Sequence, residues 1–313
     1  MLASLRASMT PHRHTSQVAR VGRWLAHARA STGRYQPTLA VGRDGIFVPL
    51  RHQVWQEGAT ATVAVLDRRG KRLGTVYLGH MPESGQAPLT AQRTALLRDL
   101  LSQVDSHGLR LVSVTDDGYH PSDDYPRVLQ KRPDPRRPWR PLAWRRISDY
   151  YHACQYVQPL AEVIFGSGSA SQRWAHQRRE QLKPRANGVA RVLQSASALR
   201  HRRGLVGQAT VYAHAYAYLK KRRRWMRYQF YRRQHVPIGS GITEAACKVI
   251  FTQRLKCSGM SWTLNGGQII LDLRVIRLSG VWEDVHQQYL AAKPLPVTQQ
   301  DMMRGAQCGQ QAA

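Results

Sequence analysis

Leu109-Arg110-Leu111-Val112-Ser113-Val114-Thr115-Asp116-Asp117-Gly118 is a short apolar run that ends in two carboxylates and a glycine. Its length and its Val/Leu content read as a strand running directly into an acidic turn. Upstream, Thr90 to Asp105 carries apolar residues at Leu96, Leu97, Leu100, Leu101 and Val104. That spacing predicts a helix, with Thr90 as its N-cap and its end near His107-Gly108. Further upstream lie three strand-like runs. Residues 39–50 read as a strand interrupted by Asp44-Gly45, a dipeptide that most often marks a hairpin turn. Thr60 to Asp67 and Arg72 to Leu78 flank the turn Arg68 to Lys71 and read as a pair.

A three-stranded meander, then a helix, then a fourth strand is the element order of the ribonuclease H-like sheet. There the helix is the crossover that lays the fourth strand parallel to the first. Asp44 and Asp116, far apart in the chain, then become neighbours in space. Trp144 to Ser148 reads as a fifth strand, leading through Asp149-Tyr150-Tyr151-His152 into a helix from Ala153 to Phe165. The expected fold class is therefore α/β: a ribonuclease H-like mixed five-stranded sheet with flanking helices and an α-helical insertion before the last catalytic helix. Residues 1–37 read as a basic N-terminal arm or remnant with one short helix, Gln17 to Ala30. Residues 38–165 read as the first part of the catalytic domain and 166–236 as the helical insertion. Residues 237–292 form its C-terminal part, and 293–313 a disordered tail. Residues 121–141, rich in Pro and charge, read as loop with at most a short helix from Tyr125 to Lys131.

The 313 residues hold 47 Lys and Arg against 19 Asp and Glu, a net charge of +28. An excess that large points to a polyanionic partner, nucleic acid before any membrane surface. No long apolar segment stands out, so no membrane association is expected. The four cysteines, Cys154, Cys247, Cys257 and Cys308, are widely spaced without a Cys-x-x-Cys pair. This excludes a disulfide framework and a zinc ribbon and fits a reducing cytoplasm.

The second informative stretch is Pro237-Ile238-Gly239-Ser240-Gly241-Ile242-Thr243-Glu244-Ala245-Ala246-Cys247-Lys248. Its Pro and glycines break what precedes, and Ser240 or Thr243 can cap the Ala-rich helix that follows, predicted to run to Lys256. Glu244 is the only acidic residue between Glu180 and Asp272. Taken singly, Asp44 reads as a turn residue, Asp116 as a loop cap and Glu244 as a helix cap. Together, on two strand ends and a rigid helix, they are the ligand set that two-metal phosphoryl transfer requires. One carboxylate bridges two Mg²⁺ (or Mn²⁺) ions and the others hold one each. From Val211 to Arg233 aromatics interleave with a dense basic cluster that includes Lys220, Lys221, Arg222, Arg223 and Arg224. This suits contact with DNA phosphates. Arg254 and Lys256 read as phosphate contacts or as a solvated helix face. Lys248, one turn beyond Glu244, either pairs with it or contacts DNA.

Pro237 to Asn265, and again Leu271 to Trp282, closely resemble the DDE transposases of bacterial insertion sequences of the ISKra type, within the Mutator-like group. The resemblance spans roughly residues 40–290. It implies Asp44, in Asp44-Gly45 after an apolar strand, as the first metal ligand. Asp116 is the second, with Asp117 the alternative by one place, and Glu244 is the third. Asp149-Tyr150-Tyr151-His152 matches the Cys/Asp-x-x-His signature of Mutator-like enzymes. That implies a place near the active site for His152, orienting the scissile phosphate or a water, with Asp149 behind it. A histidine at a strand-to-helix junction is otherwise a packing residue. The resemblance further implies transposon ends and target DNA as partners, a homo-oligomer on paired ends, and a cytoplasmic, nucleoid-associated bacterial protein. Only about forty residues precede the first strand where the family carries an end-binding region, so a truncated copy or a late start codon is expected. The competing readings are a basic nucleic-acid-binding protein, a ribonuclease H-like nuclease that cuts without joining, and an inactive transposase fragment.

Overall fold

The computed structural model describes residues 2–83, 86–116, 125–204 and 210–292. Strands β1 (Thr38–Leu50), β2 (Val54–Leu66) and β3 (Arg72–His80) form an antiparallel meander. Helix α2 (Ala87–Gln103) then crosses over to β4 (Arg110–Thr115), which lies parallel to β1. A hairpin, β5 (Pro133–Asp134) and β6 (Arg137–Pro141), precedes β7 (Trp144–Ser148), parallel to β4. The result is a mixed five-stranded sheet of order β3-β2-β1-β4-β7.

Alternation along the strands covers both faces of the sheet. Leu39, Val41, Val63 and Leu111 pack with Leu96, Leu97 and Leu100 of α2. Val112, Val114 and Ile147, one residue out of phase, pack instead against helices that follow the sheet. These are α3 (Tyr150–Gln155), α4 (Val157–Phe165), α5 (Ser169–Leu182), α6 (Gly188–Arg202), α7 (Thr210–Arg222) and α8 (Tyr228–Arg233). The chain returns to the sheet as α9 (Gly241–Cys247), and its coil continues through a π-helical turn, Lys248–Thr252, to Leu255. Helices α10 (Leu264–Leu278) and α11 (Trp282–Ala292) close the fold.

Several expectations are corrected. Asp44-Gly45 does not interrupt β1: Asp44 pairs with Thr60 and Gly45 with Ala59, so an unbroken ladder overrides the turn preference. Helix α2 begins at Ala87, after Gln86 in a left-handed conformation (φ 49) and with Pro88 in its first turn. Thr90 is therefore inside the helix, where its hydroxyl donates to Gln86 O (3.2 Å) and accepts from Arg43 Nη1 (2.8 Å). Residues 133–141 contain the β5–β6 hairpin rather than loop alone, and Tyr125–Leu129 is one π-helical turn. Asp117 and the 293–313 tail lie outside the described residues.

The largest difference is at the N-terminus. Residues 2–30 form one helix, α1 (Leu2–Ala30), that packs on β2, β3, α2, α10 and α11 rather than projecting as an arm. Its Val18, Val21, Leu25 and Ala28 join the sheet core, and its Met9 meets Ile276, Val281 and Val285. A buried carboxylate fixes it: Asp272 of α10 accepts from Arg6 Nε (2.7 Å), Arg13 Nη1 (2.6 Å) and Gln268 Nε2 (3.1 Å). Arg and Ala on a sequence this basic disguise the stripe, because the arginines here serve as partners rather than as solvated charge. Among the described residues no helix is long and apolar enough to cross a membrane.

Removing a buried carboxylate strands two guanidiniums in a poorly solvated site. We expect Asp272→Ala to cost about 3 kcal/mol, read as a lower urea midpoint. An unchanged midpoint would show that α1 is not tied to the domain.

Candidate active site

The parallel register of β1 and β4 decides what meets at their ends. Gly42 pairs with Val114, and each chain runs two residues further, to Asp44 and to Asp116. Helix α9 is laid across β1 at this point. Thr243 of α9 and Thr62 of β2 share a hydrogen bond of 2.9 Å, and a Cβ on Gly42 would lie 1.9 Å from Thr243 Oγ1. Only glycine at 42 lets the helix come this close, which brings Glu244 to the strand ends.

One cavity of about 260 Å³ is lined by Arg43, Asp44, Asp116, Tyr151, His152, Gln155, Ser240 and Glu244. The structure thus brings together Asp44, Asp116, His152 and Glu244, from four parts of the chain. Each carboxylate has a local donor. Asp44 Oδ1 accepts from Gly45 N (2.8 Å) and Oδ2 from Cys247 Sγ (3.5 Å). Asp116 Oδ1 accepts from Thr115 Oγ1 at 3.5 Å. Glu244 Oε1 accepts from Ser240 Oγ at 2.5 Å. Ser240 stands at the N-cap position of α9 but its hydroxyl caps nothing, being given to Glu244 instead. Among the described residues no group of three His, Cys, Asp or Glu side chains is arranged to hold a metal ion.

Burial, and then the nearby Asp116, push the Asp44 carboxyl up to about 6, with Glu244 adding to the effect. The same surroundings, burial first and then Asp44, push the Cys247 thiol up, so it sits here as a neutral donor.

Behind the cavity lies Asp149, fully buried. It caps α3 by accepting from His152 N (2.6 Å), and its second oxygen accepts from Ser240 N. His152 is half-buried, its ring 5.4 Å from Tyr156 and 5.7 Å from Tyr218, edge-on to both. Tyr218 of α7 also donates its hydroxyl to Asp116 O at 3.1 Å, so the helical segment reaches the site.

None of the basic residues singled out in the sequence lines this cavity. Lys248 is exposed at the start of the π-helical turn and makes no ion pair with Glu244, whose carboxylate is turned to Ser240. The backbone between the two is α-helical, Lys248 N donating to Glu244 O, and the π-helical turn starts only at Lys248. Arg254 is exposed toward α10, and Lys256 lies with Nζ 5.4 Å above the Trp55 ring. Lys220, Lys221, Arg223 and Arg224 are exposed, while Arg222 is half-buried over Tyr218 at 4.2 Å. The run therefore wraps its helix rather than forming one face. Residues the sequence reading passed over are Arg43, Tyr151, Gln155, Cys247 and Tyr218. The Ser240–Glu244 spacing of four was a legible signal. Tyr218's role was not, because it depends on how α7 folds back.

No family model and no curated protein matches this chain.

Because folding raises the Asp44 carboxyl from 3.8 to about 6, the folded state loses stability as pH climbs through that window and pays no such penalty below it. Asp44→Asn removes the charge. In the absence of divalent ions it should stabilise the fold by about 2 kcal/mol at pH 7.5, with the gain vanishing near pH 4. Thermal melts across pH check this; a loss of stability at pH 7.5 would contradict it.

Proposed function

We propose that the chain is a DDE transposase of the bacterial insertion-sequence kind. It would cut DNA at element ends and join the freed 3′-hydroxyl to target DNA by metal-dependent phosphoryl transfer. The observation that carries this reading is the convergence of Asp44, Asp116, His152 and Glu244 on one cavity, from the middle of β1, the end of the parallel β4, the start of α3 and a helix laid across β1. The strand order and the α2 crossover support a ribonuclease H-like architecture. The net charge of +28 supports a nucleic-acid substrate.

The chemistry of the donor set, though not its present arrangement, suits hard divalent ions, Mg²⁺ or Mn²⁺. Its members are oxygen ligands on stiff elements, and the Asp44 carboxyl, raised by burial and then by Asp116, stands where a cation would relieve the charge. When bound, such ions supply charge neutralisation of the reacting phosphate and activation of the attacking oxygen. In this reading Asp44, Asp116 and Glu244 would hold the ions, with Glu244 turning from the Ser240 hydroxyl to do so. His152, fixed through its own backbone N–H on Asp149, orients the scissile phosphate or a water. Arg43 stands on the same wall, its guanidinium on Gln86 Oε1 (2.7 Å) and Thr90 Oγ1, and offers positive charge to the phosphate. Asp149 acts at one remove, holding both the His152 helix and the Ser240 loop.

The test is incubation with a supercoiled plasmid carrying the DNA that flanks this reading frame, with Mg²⁺ or Mn²⁺. Joined strands are expected, and Asp44→Asn should abolish them while leaving DNA affinity within about twofold, since phosphate contacts dominate binding. Nicks without joining would make the chain a nuclease. No product with either ion, alongside tight binding, would make it a DNA-coating protein. Asp149→Asn should lower product formation by roughly 10–100-fold with the fold retained; an unchanged rate would remove Asp149 from the account.

A further inference from the structure

Away from the carboxylates, α6, α8 and the turn that leads into α8 enclose a larger cavity of about 530 Å³. Five guanidiniums wall it: Arg185, Arg223, Arg224, Arg227 and Arg233. No acidic residue lines it, and none of the five has an ion-pair partner among the described residues. All five are exposed, and like charges gathered on one wall without an acidic neighbour attract an anion.

The aromatic residues interleaved with these arginines carry guanidiniums over their rings. Trp225 has Arg146 at 3.9 Å and Arg224 at 4.3 Å from its ring centroid. Phe230 carries Arg227 at 4.6 Å and Arg145 at 5.4 Å. Rings so occupied hold guanidiniums in place, lowering the entropy that each would lose on meeting a phosphate. Arg145 and Arg146 come from β7, Arg145 exposed and Arg146 buried against Trp225, so the sheet adds Arg145 to the cationic surface of the helices. A neighbouring cavity shares Arg224, Arg227 and Phe230 with the first and extends it past Trp225.

We propose that this arginine cavity and its Trp225 extension form a docking channel for consecutive phosphodiesters of a nucleic-acid strand, recognised by backbone charge and not by base identity. The inference rests on the nucleic-acid half of the functional reading and needs no divalent ion. Its failure and the failure of the catalytic reading are therefore separable.

The test is fluorescence anisotropy with a labelled DNA duplex of arbitrary sequence, in EDTA, between about 50 and 200 mM KCl. Arg227→Glu with Arg233→Glu should weaken binding at least about tenfold and flatten the salt slope by about 2, the signature of lost phosphate contacts. Arg98→Glu with Lys131→Glu, an equal charge change beside α2, should weaken it less than about threefold, through long-range charge alone. Trp225→Leu and Phe230→Leu change no charge and should each weaken binding about threefold through loss of the stacked guanidiniums. Melting curves identify variants that fold normally, and Phe230→Leu keeps the test open if the double reversal does not fold. The proposal is overturned if the control pair loses as much as the cavity pair, or if neither leucine variant alters binding. It is also overturned if inorganic pyrophosphate at matched ionic strength binds as tightly as the duplex, which would make this a small-anion site.

Discussion

The architecture of the site hangs on one buried carboxylate. Asp149 divides its two oxygens between the backbone N–H of His152 and that of Ser240, residues on opposite sides of the helical segment. Its own backbone completes the junction: its N–H donates to Thr115 O at 2.8 Å, and its carbonyl accepts the Tyr228 hydroxyl at 3.2 Å. Next to it, Tyr150 N donates to Ile238 O at 2.9 Å. The end of β4, the start of α3, helix α8 and the loop before α9 are thereby pinned at one point. A buried charge persists only when hydrogen-bonded on all sides, so any element that drifted would leave Asp149 uncompensated. Glu244 lies four residues beyond Ser240, and its direction is set by this junction.

A second constraint works at van der Waals distance. Glycine at 42 admits Thr243, glycine at 239 admits the Tyr151 ring at 3.1 Å from where a Cβ would stand, and the central strand β1 and its neighbour β2 accept α9 as a result. Around these contacts the charge distribution is divided. Acidic side chains that repel each other are gathered at the strand ends, while arginines that repel each other are gathered between α6 and α8. In the proposed reading the first cluster would take a divalent cation and the second phosphates, so that a nucleic-acid strand held by the arginines would be cut at the carboxylates.

Much of this was legible in the chain. The order of β1 to β4 and the crossover helix follow from periodicity, and with the parallel register they place Asp44 beside Asp116. The end of β3 came within two residues of that expected. The Asp44-Gly45 dipeptide misled as a turn, because local preference carries less weight than a partner strand that continues alongside. The N-terminal helix was misjudged for a related reason: Arg6 and Arg13 look like solvated charge until Asp272, some 260 residues away, is brought against them. Arg43, Cys247 and Tyr218 entered the site through packing of distant elements, for which no local pattern exists. Lys248 does lie one α-helical turn beyond Glu244, as its spacing predicts, but the Glu244 carboxylate is turned to Ser240 rather than to it.

The most direct test of the central claim is an anomalous-difference map from crystals soaked in Mn²⁺. The account predicts density inside the cavity, between Asp44 and Asp116 and beside Glu244, with the Glu244 carboxylate released from Ser240. Density that avoids all three carboxylates at saturating Mn²⁺, with Glu244 still on Ser240, would contradict it.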